Sequence, residues 1–420
     1  MKKIIPQKIK NIYHLFQAVL ANFYFGFPSK KIKVIGITGT NGKTTTTQLV
    51  IKILEEGGFK VAMASTINFK LDQEEWVNQT KFTTLSPWKV QEFIKKAADK
   101  RCDYLVLETS SHSLDQYRVW GVDYDTAVIT NVTREHLDYH KTMEIYRKAK
   151  LKLFQKAGKL VVNLDMEKPE EFYNFSDKEI IFGYTLKDKK TENKKIKIIQ
   201  AEEIRTFSQY SQFKVNETEY ELNLPGRFNI ENALAAICVG LAELIKEEKI
   251  KSAIEKIKNI PGRMEYIEND KDLNIIVDYA VTPDSLEKLY ALIKEVNVKN
   301  NKVIAVFGSC GERDRGKRPI MGEIVSKNTD YVIVTNEDPY NEDPAQIINE
   351  VASGVINKSE GENFYKIFDR REAIKKALNV AKEGDFVVIT GKGAEETMAV
   401  GEKRIPWKDK NVICEELKEL

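Results

Sequence analysis

One stretch constrains the fold more than any other: Gly39-Thr40-Asn41-Gly42-Lys43-Thr44-Thr45, placed directly behind the apolar run Val34-Ile35-Gly36-Ile37. A buried strand feeding a glycine turn, a lysine and a helix start is the local architecture of a nucleoside-triphosphate cradle. Glycines let successive N–H groups turn toward phosphate oxygens, and the helix N-terminus adds positive potential. Lys43 can reach the β and γ phosphates, and the Thr44 hydroxyl can hold Mg2+. The general P-loop asks for a glycine five places before Gly42, where this chain has Ile37, so the fit is the shorter G-x-x-G-K-T variant.

A strand–loop–helix cradle implies a parallel sheet, and the rest of the chain is consistent with one. Val34 to Thr38, Tyr104 to Leu107, Thr126 to Thr130 and Leu160 to Asn163 read as strands between longer helical patterns. A more polar strand-like section, 196–224, ends at Pro225-Gly226, and Asn229 to Leu244 then reads as a helix. After Ile260-Pro261-Gly262 come four further apolar runs: Asn274 to Val277, Lys302 to Phe307, Tyr331 to Val334 and Phe386 to Ile389. The expected fold is α/β: a central P-loop ATPase-like parallel or mixed sheet domain over 31–259 and a Rossmann-like α/β domain over 260–420. Residues 1–30 form a helical or linker remnant ahead of them.

Composition excludes several function classes. The 420 residues carry a formal charge of +3 from nearly balanced acids and bases, with lysines dispersed and not blocked, so a nucleic-acid partner is not expected. Cys102, Cys238, Cys310 and Cys414 are far apart, which argues against a zinc site or a secreted disulfide framework. Ile12 to Phe27 is interrupted by His14 and Gln17, so neither a signal peptide nor a membrane span is expected, and a cytoplasmic location fits best.

In open α/β sheets, ligands gather beyond the carboxyl ends of the strands. There the chain places the P-loop, then Glu108-Thr109-Ser110-Ser111-His112, then Asn131 with Glu135-His136-Leu137-Asp138. Three of the four histidines (His112, His136, His140) fall in this window. Glu108 and His136 together would suit a divalent ion, although Mg2+ prefers oxygen to a histidine nitrogen. His140 reads equally well as a polar loop residue.

The motifs T-G-T-N-G-K-T-T-T-T, E-T-S-S-H-S-L-D-Q-Y-R, E-H-L-D-Y-H and Y-R-K-A-K, followed in order by L-P-G-R-F-N-I-E-N-A from Leu224, P-G-R-M-E from Pro261, V-D-Y-A-V-T-P-D from Val277, G-E-R-D-R-G-K-R-P from Gly311 and G-K-G-A-E from Gly391, resemble the Mur ligase family. Within it they are most similar to the tripeptide-synthetase branch of peptidoglycan precursor synthesis, the cell-wall pathway that underlies cell shape and division. The resemblance implies ATP-dependent amide bond formation between a UDP-muramoyl-peptide-like acceptor and an amino acid. In that chemistry the acceptor carboxylate is phosphorylated by ATP and the acyl phosphate is then attacked by an amine. It implies two Mg2+ ions, with Thr44, Glu108 and His136 as ligands, and N6-carboxylysine at Lys150. Lys43, Lys150, Glu108 and His136 become the catalytic set.

By the same resemblance, Gly39, Thr40, Asn41, Gly42, Lys43, Thr44 and Thr45 bind ATP, with Asn229 and Asn232 on the adenine side, Arg263 at phosphate and Asp278 at the nucleoside. Thr83, Thr84, Ser110, Gln116 and Arg118 would hold the acceptor, although two threonines before Leu85-Ser86-Pro87 read, taken alone, as a helix cap. Gly391 and Glu395 match positions for the amine end of the incoming amino acid, and Arg313 one near its carboxylates.

Three departures qualify the transfer. Residues 1–30 stand where the family carries a whole uridine-binding domain, so a partner supplying that part, or a different acceptor head group such as a pseudomurein-type or polyglutamyl peptide, is an alternative. Without such a partner a monomer is expected. Second, the arginine of the diaminopimelate signature D-N-P-R falls at Tyr340 in Glu337-Asp338-Pro339-Tyr340. A phenol cannot fork onto a distal carboxylate, and the surrounding acids favour an amine, so lysine or another basic diamino acid is expected over meso-diaminopimelate. Third, Val281 replaces a histidine near ATP. Folylpolyglutamate synthetases, of the same architecture, read T-N-G-K-G-S at the loop, and Thr44-Thr45 speaks against that subgroup. A nucleotide-binding subunit that no longer turns over is the remaining alternative, separable by acceptor-dependent phosphate release.

Overall fold

The structure, a computed structural model, describes residues 6–80, 82–175, 177–191 and 193–420, and it divides into two compact units. The first takes in the chain to Thr133, His140–Arg205 and Ser211–Lys258. The second takes in Arg134–Tyr139, Thr206–Tyr210 and Asn259–Leu420.

Among the described residues the first unit is built on a nine-stranded sheet: β1 (Lys33–Thr38), β2 (Val61–Ala64), β3 (Asn68–Leu71), β4 (Glu74–Val77), β5 (Tyr104–Glu108), β6 (Thr126–Ile129), β7 (Lys159–Asn163), β8 (Ile181–Thr185) and β9 (Ile196–Gln200). Their spatial order is β4-β3-β2-β5-β1-β6-β7-β8-β9. From β2 to β9 the pairing is parallel, whereas β3 and β4 add an antiparallel edge. Strands β5 and β6 are buried at every position, as expected for parallel strands covered on both faces. A smaller sheet, β10 (Glu202–Thr206), β11 (Ser211–Val215) and β12 (Thr218–Leu222), accounts for the polar strand-like section.

The helices of this unit are α1 (Gln7–Phe25), α2 (Lys43–Gly57), α3 (Pro87–Asp99), α4 (Ser111–Asp115), α6 (Met143–Phe154), α7 (Arg227–Ala242) and α8 (Glu247–Lys256), while the short α5 (Leu137–His140) falls in the second unit but for His140. Helix α2 opens with four threonines, weak helix formers whose side chains are all buried, so tertiary packing overrides propensity here. It packs on α7 and α8; an added Cβ at Gly240 of α7 would lie 2.8 Å from Ile53. Helix α1 docks through Ala18, Ala21 and Asn22, the last donating to Trp120 O at 2.9 Å.

The amino ends of four adjacent strands meet one carboxylate. Glu243, just past α7, accepts from Lys33 (3.1 Å), Tyr104 (2.8 Å), Thr126 (3.4 Å) and Lys159 (2.6 Å), the first residues of β1, β5, β6 and β7. Burial works against its ionisation. The hydrogen bonds from Lys159 and Tyr104 prevail and hold its pKa down at about 2.

The second unit has a six-stranded sheet of β13 (Glu265–Ile267), β14 (Asn274–Asp278), β15 (Val303–Phe307), β16 (Tyr331–Thr335), β17 (Phe364–Ile367) and β18 (Phe386–Thr390), ordered β13-β14-β18-β15-β16-β17 and parallel except for β13. Helices α9 (Pro283–Val296), α10 (Lys317–Asn328), α11 (Pro344–Ala352), α12 (Arg370–Val380) and α13 (Asp409–Glu419) accompany it, with a hairpin of β19 (Thr397–Val400) and β20 (Lys403–Pro406). A fully buried Arg370–Asp409 pair ties α12 to α13 through two hydrogen bonds of 2.9 and 2.7 Å. This is the expected α/β class. No described helix is long and apolar enough to cross a membrane.

Candidate active site

In the first unit the chain leaves β1 into the glycine loop. Gly39 (φ +153°) and Gly42 (φ +82°) have no room for a side chain: a Cβ would lie 1.8 Å from Thr130 Oγ1 at Gly39 and 2.2 Å from Asn232 Oδ1 at Gly42. Both positions therefore require glycine on steric grounds, and Gly42, the N-cap of α2, on conformational grounds too. The loop is braced from β6, with Thr130 Oγ1 donating to Asn41 O (2.6 Å) and Asn41 N–H donating to Asn131 Oδ1 (2.9 Å). Lys43 Nζ donates to the carbonyls of Gly39 (3.1 Å) and Thr40 (2.9 Å), and Thr44 and Thr45 are buried in the first turn of α2. A backbone cradle that excludes side chains, with a lysine and a hydroxyl at a helix N-terminus, fits a triphosphate and its cation.

Asn229 and Asn232 lie on α7 behind this loop, both buried. Asn229 donates to Pro225 O at 2.8 Å, and Asn232 accepts from Thr46 at 3.3 Å while crowding Gly42. Asn232 thus stands against the loop at Gly42, and its amide donates to Asn229 Oδ1 (3.4 Å).

Lys150, on α6, is 1 % exposed, and its ammonium stands 4.4 Å from the Tyr146 ring centroid. The Tyr146 hydroxyl lies 3.0 Å from Thr40 Oγ1, which connects this lysine to the loop. Burial, reinforced by the charge of Lys43, pushes Lys150 well below the usual lysine range. It forms no ion pair with any described residue.

Glu108 ends β5 fully buried. Thr66 orients both its oxygens, the backbone N–H donating to Oε1 (3.1 Å) and the hydroxyl to Oε2 (2.7 Å). Thr83 Oγ1 lies 3.1 Å from Thr66 Oγ1. Thr84 is buried and donates to Glu108 O (2.9 Å), accepts from Ser110 N–H (3.0 Å), and through its carbonyl accepts from Arg118 (2.7 Å). Thr84 is thus fastened to the end of β5 and Thr83 to Thr66, and Ser86 occupies the N-cap position of α3. Ser110 caps α4, Gln116 closes it, and His140 Nε2 reaches Ser111 Oγ at 3.0 Å. Thr66 was not foreseen, although it too follows the carboxyl end of a strand, β2.

His136 belongs to the Arg134–Tyr139 segment grouped with the second unit, with φ +58°. Its neighbour Glu135 pairs with Lys317 (3.2 Å), which also donates to Val281 O (2.9 Å). Asp278 ends β14 and accepts from Met264 N–H (2.8 Å). Its carboxyl is pushed up by burial, against the pull of Arg263, whose guanidinium lies 4.5 Å from the Tyr279 ring centroid.

At the carboxyl ends of β16 and β18, Glu337 is buried with Cys310 Sγ donating to Oε1 at 2.9 Å, and Oε2 faces Gly391 so closely that a Cβ there would lie 2.2 Å away. Burial pushes the Glu337 carboxyl up. Lys392 pairs with both Asp338 (2.8 Å) and Glu395 and donates to Thr397 O (2.8 Å). Burial alone would depress Lys392; the two carboxylates raise it above the usual range. Tyr340, with φ +51°, has the guanidinium carbons of Arg313 and Arg404 each 5.4 Å from its ring centroid. Lys392 and Arg404 were not among the expected site residues: one sits inside a glycine turn, the other on a hairpin far along the chain.

A glycine loop of a shape that fits phosphate on one α/β unit and a cluster of charged groups at the strand ends of a second are consistent with a nucleotide-dependent ligase. Residues 37–240 match the Mur ligase middle domain and 262–393 the Mur ligase, glutamate ligase domain. The chain belongs to the Mur ligase family, and it is an ATP-dependent amide ligase. It is 39% identical over 410 residues to the UDP-N-acetylmuramoyl-L-alanyl-D-glutamate--2,6-diaminopimelate ligase of Syntrophomonas wolfei, a match that takes in 96% of this chain and 81% of the relative. It is 37% identical over 416 residues to the UDP-N-acetylmuramyl-tripeptide synthetase of a Roseiflexus species, over 93% and 80%. A solved UDP-N-acetylmuramoyl-L-alanyl-D-glutamate--2,6-diaminopimelate ligase superposes with a TM-score of 0.62 at 31% identity, over 92% of this chain and 78% of that one. The Mycobacterium tuberculosis folylpolyglutamate synthase shares the fold alone (TM-score 0.72, 16% identity, 90% and 91% covered).

Proposed function

We propose that the protein adds a diamino acid to a UDP-muramoyl-dipeptide-like acceptor in the cytoplasm, as a step in assembling a peptidoglycan precursor. The observation that carries this reading is the buried, oriented Glu108 carboxylate on the strand next to the side-chain-excluding glycine loop. Relatives similar over nearly the whole chain, named for this acceptor, support it.

The roles divide between the units. In the first, Lys43 and the α2 N-terminus neutralise ATP phosphates, while Thr83, Thr84, Ser110, Gln116 and Arg118 hold the acceptor peptide. Thr44 and Glu108 offer the hard oxygen donors that Mg2+ favours. Bound Mg2+ would screen the repulsion between carboxylate and triphosphate. The acceptor carboxylate oxygen bonds to the γ-phosphorus as the bond to ADP breaks; the amine of the incoming amino acid then bonds to the acyl carbon, phosphate leaves and the amine gives up a proton. Asn229, Asn232, Arg263 and Asp278 serve ATP, and Arg313, Glu337, Asp338, Tyr340, Gly391 and Glu395 serve the amino acid.

Lys150 has the surroundings that carbamylation needs. Burial lowers the cost of taking the proton off this amine, and the lone pair of the neutral form can bond to CO2. One proton leaves, and N6-carboxylysine places an anion where the bare chain has a cation.

The test is mass spectrometry of products after incubation with ATP, Mg2+, UDP-muramoyl dipeptide and single amino acids. A product heavier by one diamino acid residue, with one phosphate released per amide, is expected. Turnover on a pseudomurein-type or polyglutamyl acceptor alone would overturn the acceptor assignment, and nucleotide binding without turnover on any acceptor would overturn the ligase reading.

A further inference from the structure

We infer that the exposed face of α1 is a docking surface for a membrane that carries anionic lipids, with the helix lying in the plane of the headgroups. Such docking sets where the protein works and is independent of what it ligates.

Helix α1 has two unlike faces. One carries Ala18, Ala21 and Asn22, all buried against the first unit, with Asn22 donating to Trp120 O at 2.9 Å. On the other, Ile9, Ile12, Phe16, Leu20 and Phe23, with Tyr13 and Tyr24, are 46 to 73 % exposed. At about 100° per residue these side chains fall within an arc of about 120° opposite Ala18, the width with which an amphipathic helix ordinarily meets a protein core. Here the stripe faces solvent, and it runs about 22 Å from Ile9 to Tyr24 at about 1.5 Å per residue. Trp88 of α3, itself partly exposed, extends it, with its ring centroid 5.1 Å from that of Tyr24. A continuous apolar surface of this extent marks an interaction site.

The charges around the stripe select its occupant. Lys8 and Lys10 lie on opposite sides of it, each about 100° around the helix from its centre. At its other end Lys30 Nζ stands 5.5 Å from the Phe27 ring centroid, and that ring stands 5.1 Å from Phe23. No Asp or Glu occurs among residues 1–54. Asp115 meets α1 on the docked side, at Asn11 (3.3 Å), and pairs there with Lys152 (3.1 Å). The acids of the adjacent α3, Glu92 and Asp99, are each paired with a lysine of that helix.

An apolar stripe edged by lysines and furnished with Tyr and Trp matches the lipid interface. Its aliphatic and aromatic groups enter the boundary between headgroups and acyl chains, while phenol and indole stay at the water's edge. Lysine stems lie along the stripe, and their ammonium groups reach lipid phosphate. A second copy of the chain would bury the same stripe but bring lysine against lysine-bordered surface, whereas an anionic membrane uses both the stripe and its border. The helix lies on the bilayer and does not cross it, since no described helix is long and apolar enough to span one.

The experiment sediments the full chain with vesicles of phosphatidylcholine alone and of equimolar phosphatidylcholine and phosphatidylglycerol, beside its Phe16→Glu, Ile12→Glu and Val298→Glu variants. Wild type is expected to partition onto the anionic vesicles at least about tenfold better than onto the neutral ones, and to come off as salt screens the lysines. Phe16→Glu should lower that partition at least about tenfold. Ile12→Glu repeats the test at a second exposed position, so that a fold defect in one variant does not decide it. Val298→Glu, exposed on the second unit, should bind as wild type does. Sedimentation with neither vesicle, equal partition onto both, full binding by Phe16→Glu and Ile12→Glu, or an equal loss in Val298→Glu overturns the inference. Light scattering reads the rival occupant: a dimer that Phe16→Glu dissociates assigns the stripe to a second copy and overturns it too.

Discussion

Lys150 Nζ sits 4.4 Å from the centre of the Tyr146 ring, and the same tyrosine's hydroxyl meets Thr40 of the glycine loop at 3.0 Å. A π face hosts a cation only weakly, whereas burial disfavours the charge and so favours the neutral form that reacts with CO2. Lys150→Ala is expected to cripple turnover. Excess bicarbonate should not restore it, and short carboxylic acids, placing an anion in the space opened, should restore part. Unchanged kcat in the variant would remove the carbamate from the mechanism.

Lys43→Ala should lower kcat by at least about 100-fold, the usual cost of removing a group that neutralises developing phosphate charge. It donates to two loop carbonyls, and the variant should retain its far-UV circular dichroism and melting temperature to within a few degrees. Near-normal turnover would take the lysine out of phosphate binding.

Thr66→Val keeps the shape of the residue and deletes the hydroxyl that fixes Glu108 Oε2. If that carboxylate holds Mg2+, the Mg2+ concentration for half-maximal rate should rise about 10-fold or more, the range typical of lost outer-shell orienting groups. An unchanged Mg2+ dependence would show that the orientation of Glu108 does not matter to the metal.

Glu243 makes a prediction about acid stability. Its folded pKa, about 2, lies below the ordinary 4.5, so its contribution is fully present above about 4.5 and is lost as pH falls through that window toward 2. The difference corresponds to about 3 kcal/mol. Glu243→Gln should lose stability of that order at pH 7, and its urea midpoint should vary less between pH 5 and pH 3 than that of wild type.

The strands that position the chemistry were legible because parallel strands covered on both faces are unbroken apolar runs: β5, β6, β7, β15, β16 and β18 read directly. Strand β8 did not, because Gly183 interrupts it; the glycine is there because a Cβ would lie 2.7 Å from Leu164. The antiparallel edge β3–β4 was also silent, its outer strand being exposed at every position. In the site, the glycine loop declares itself by spacing, and so do Glu108 and Asn131 at strand ends. Local sequence could not reveal that Lys392 neutralises Asp338 and Glu395, or that Arg404 returns to Tyr340, since both depend on where a glycine turn and a hairpin are carried in space. Nor could it say that Thr84 fastens to β5 while Ser86 takes the N-cap position of α3, because both are small hydroxyls ahead of the same proline.

The carboxylate that gathers the starts of β1, β5, β6 and β7 stands one strand length, about 16 Å, from the loops that follow their other ends. Thermostabilising substitutions around Lys33, Tyr104, Thr126 and Lys159 can therefore be combined freely with specificity changes at Thr84 or Arg118, the two sets being distant enough for their free energies to add. An engineer who wishes to harden this scaffold has a dedicated edge on which to do it.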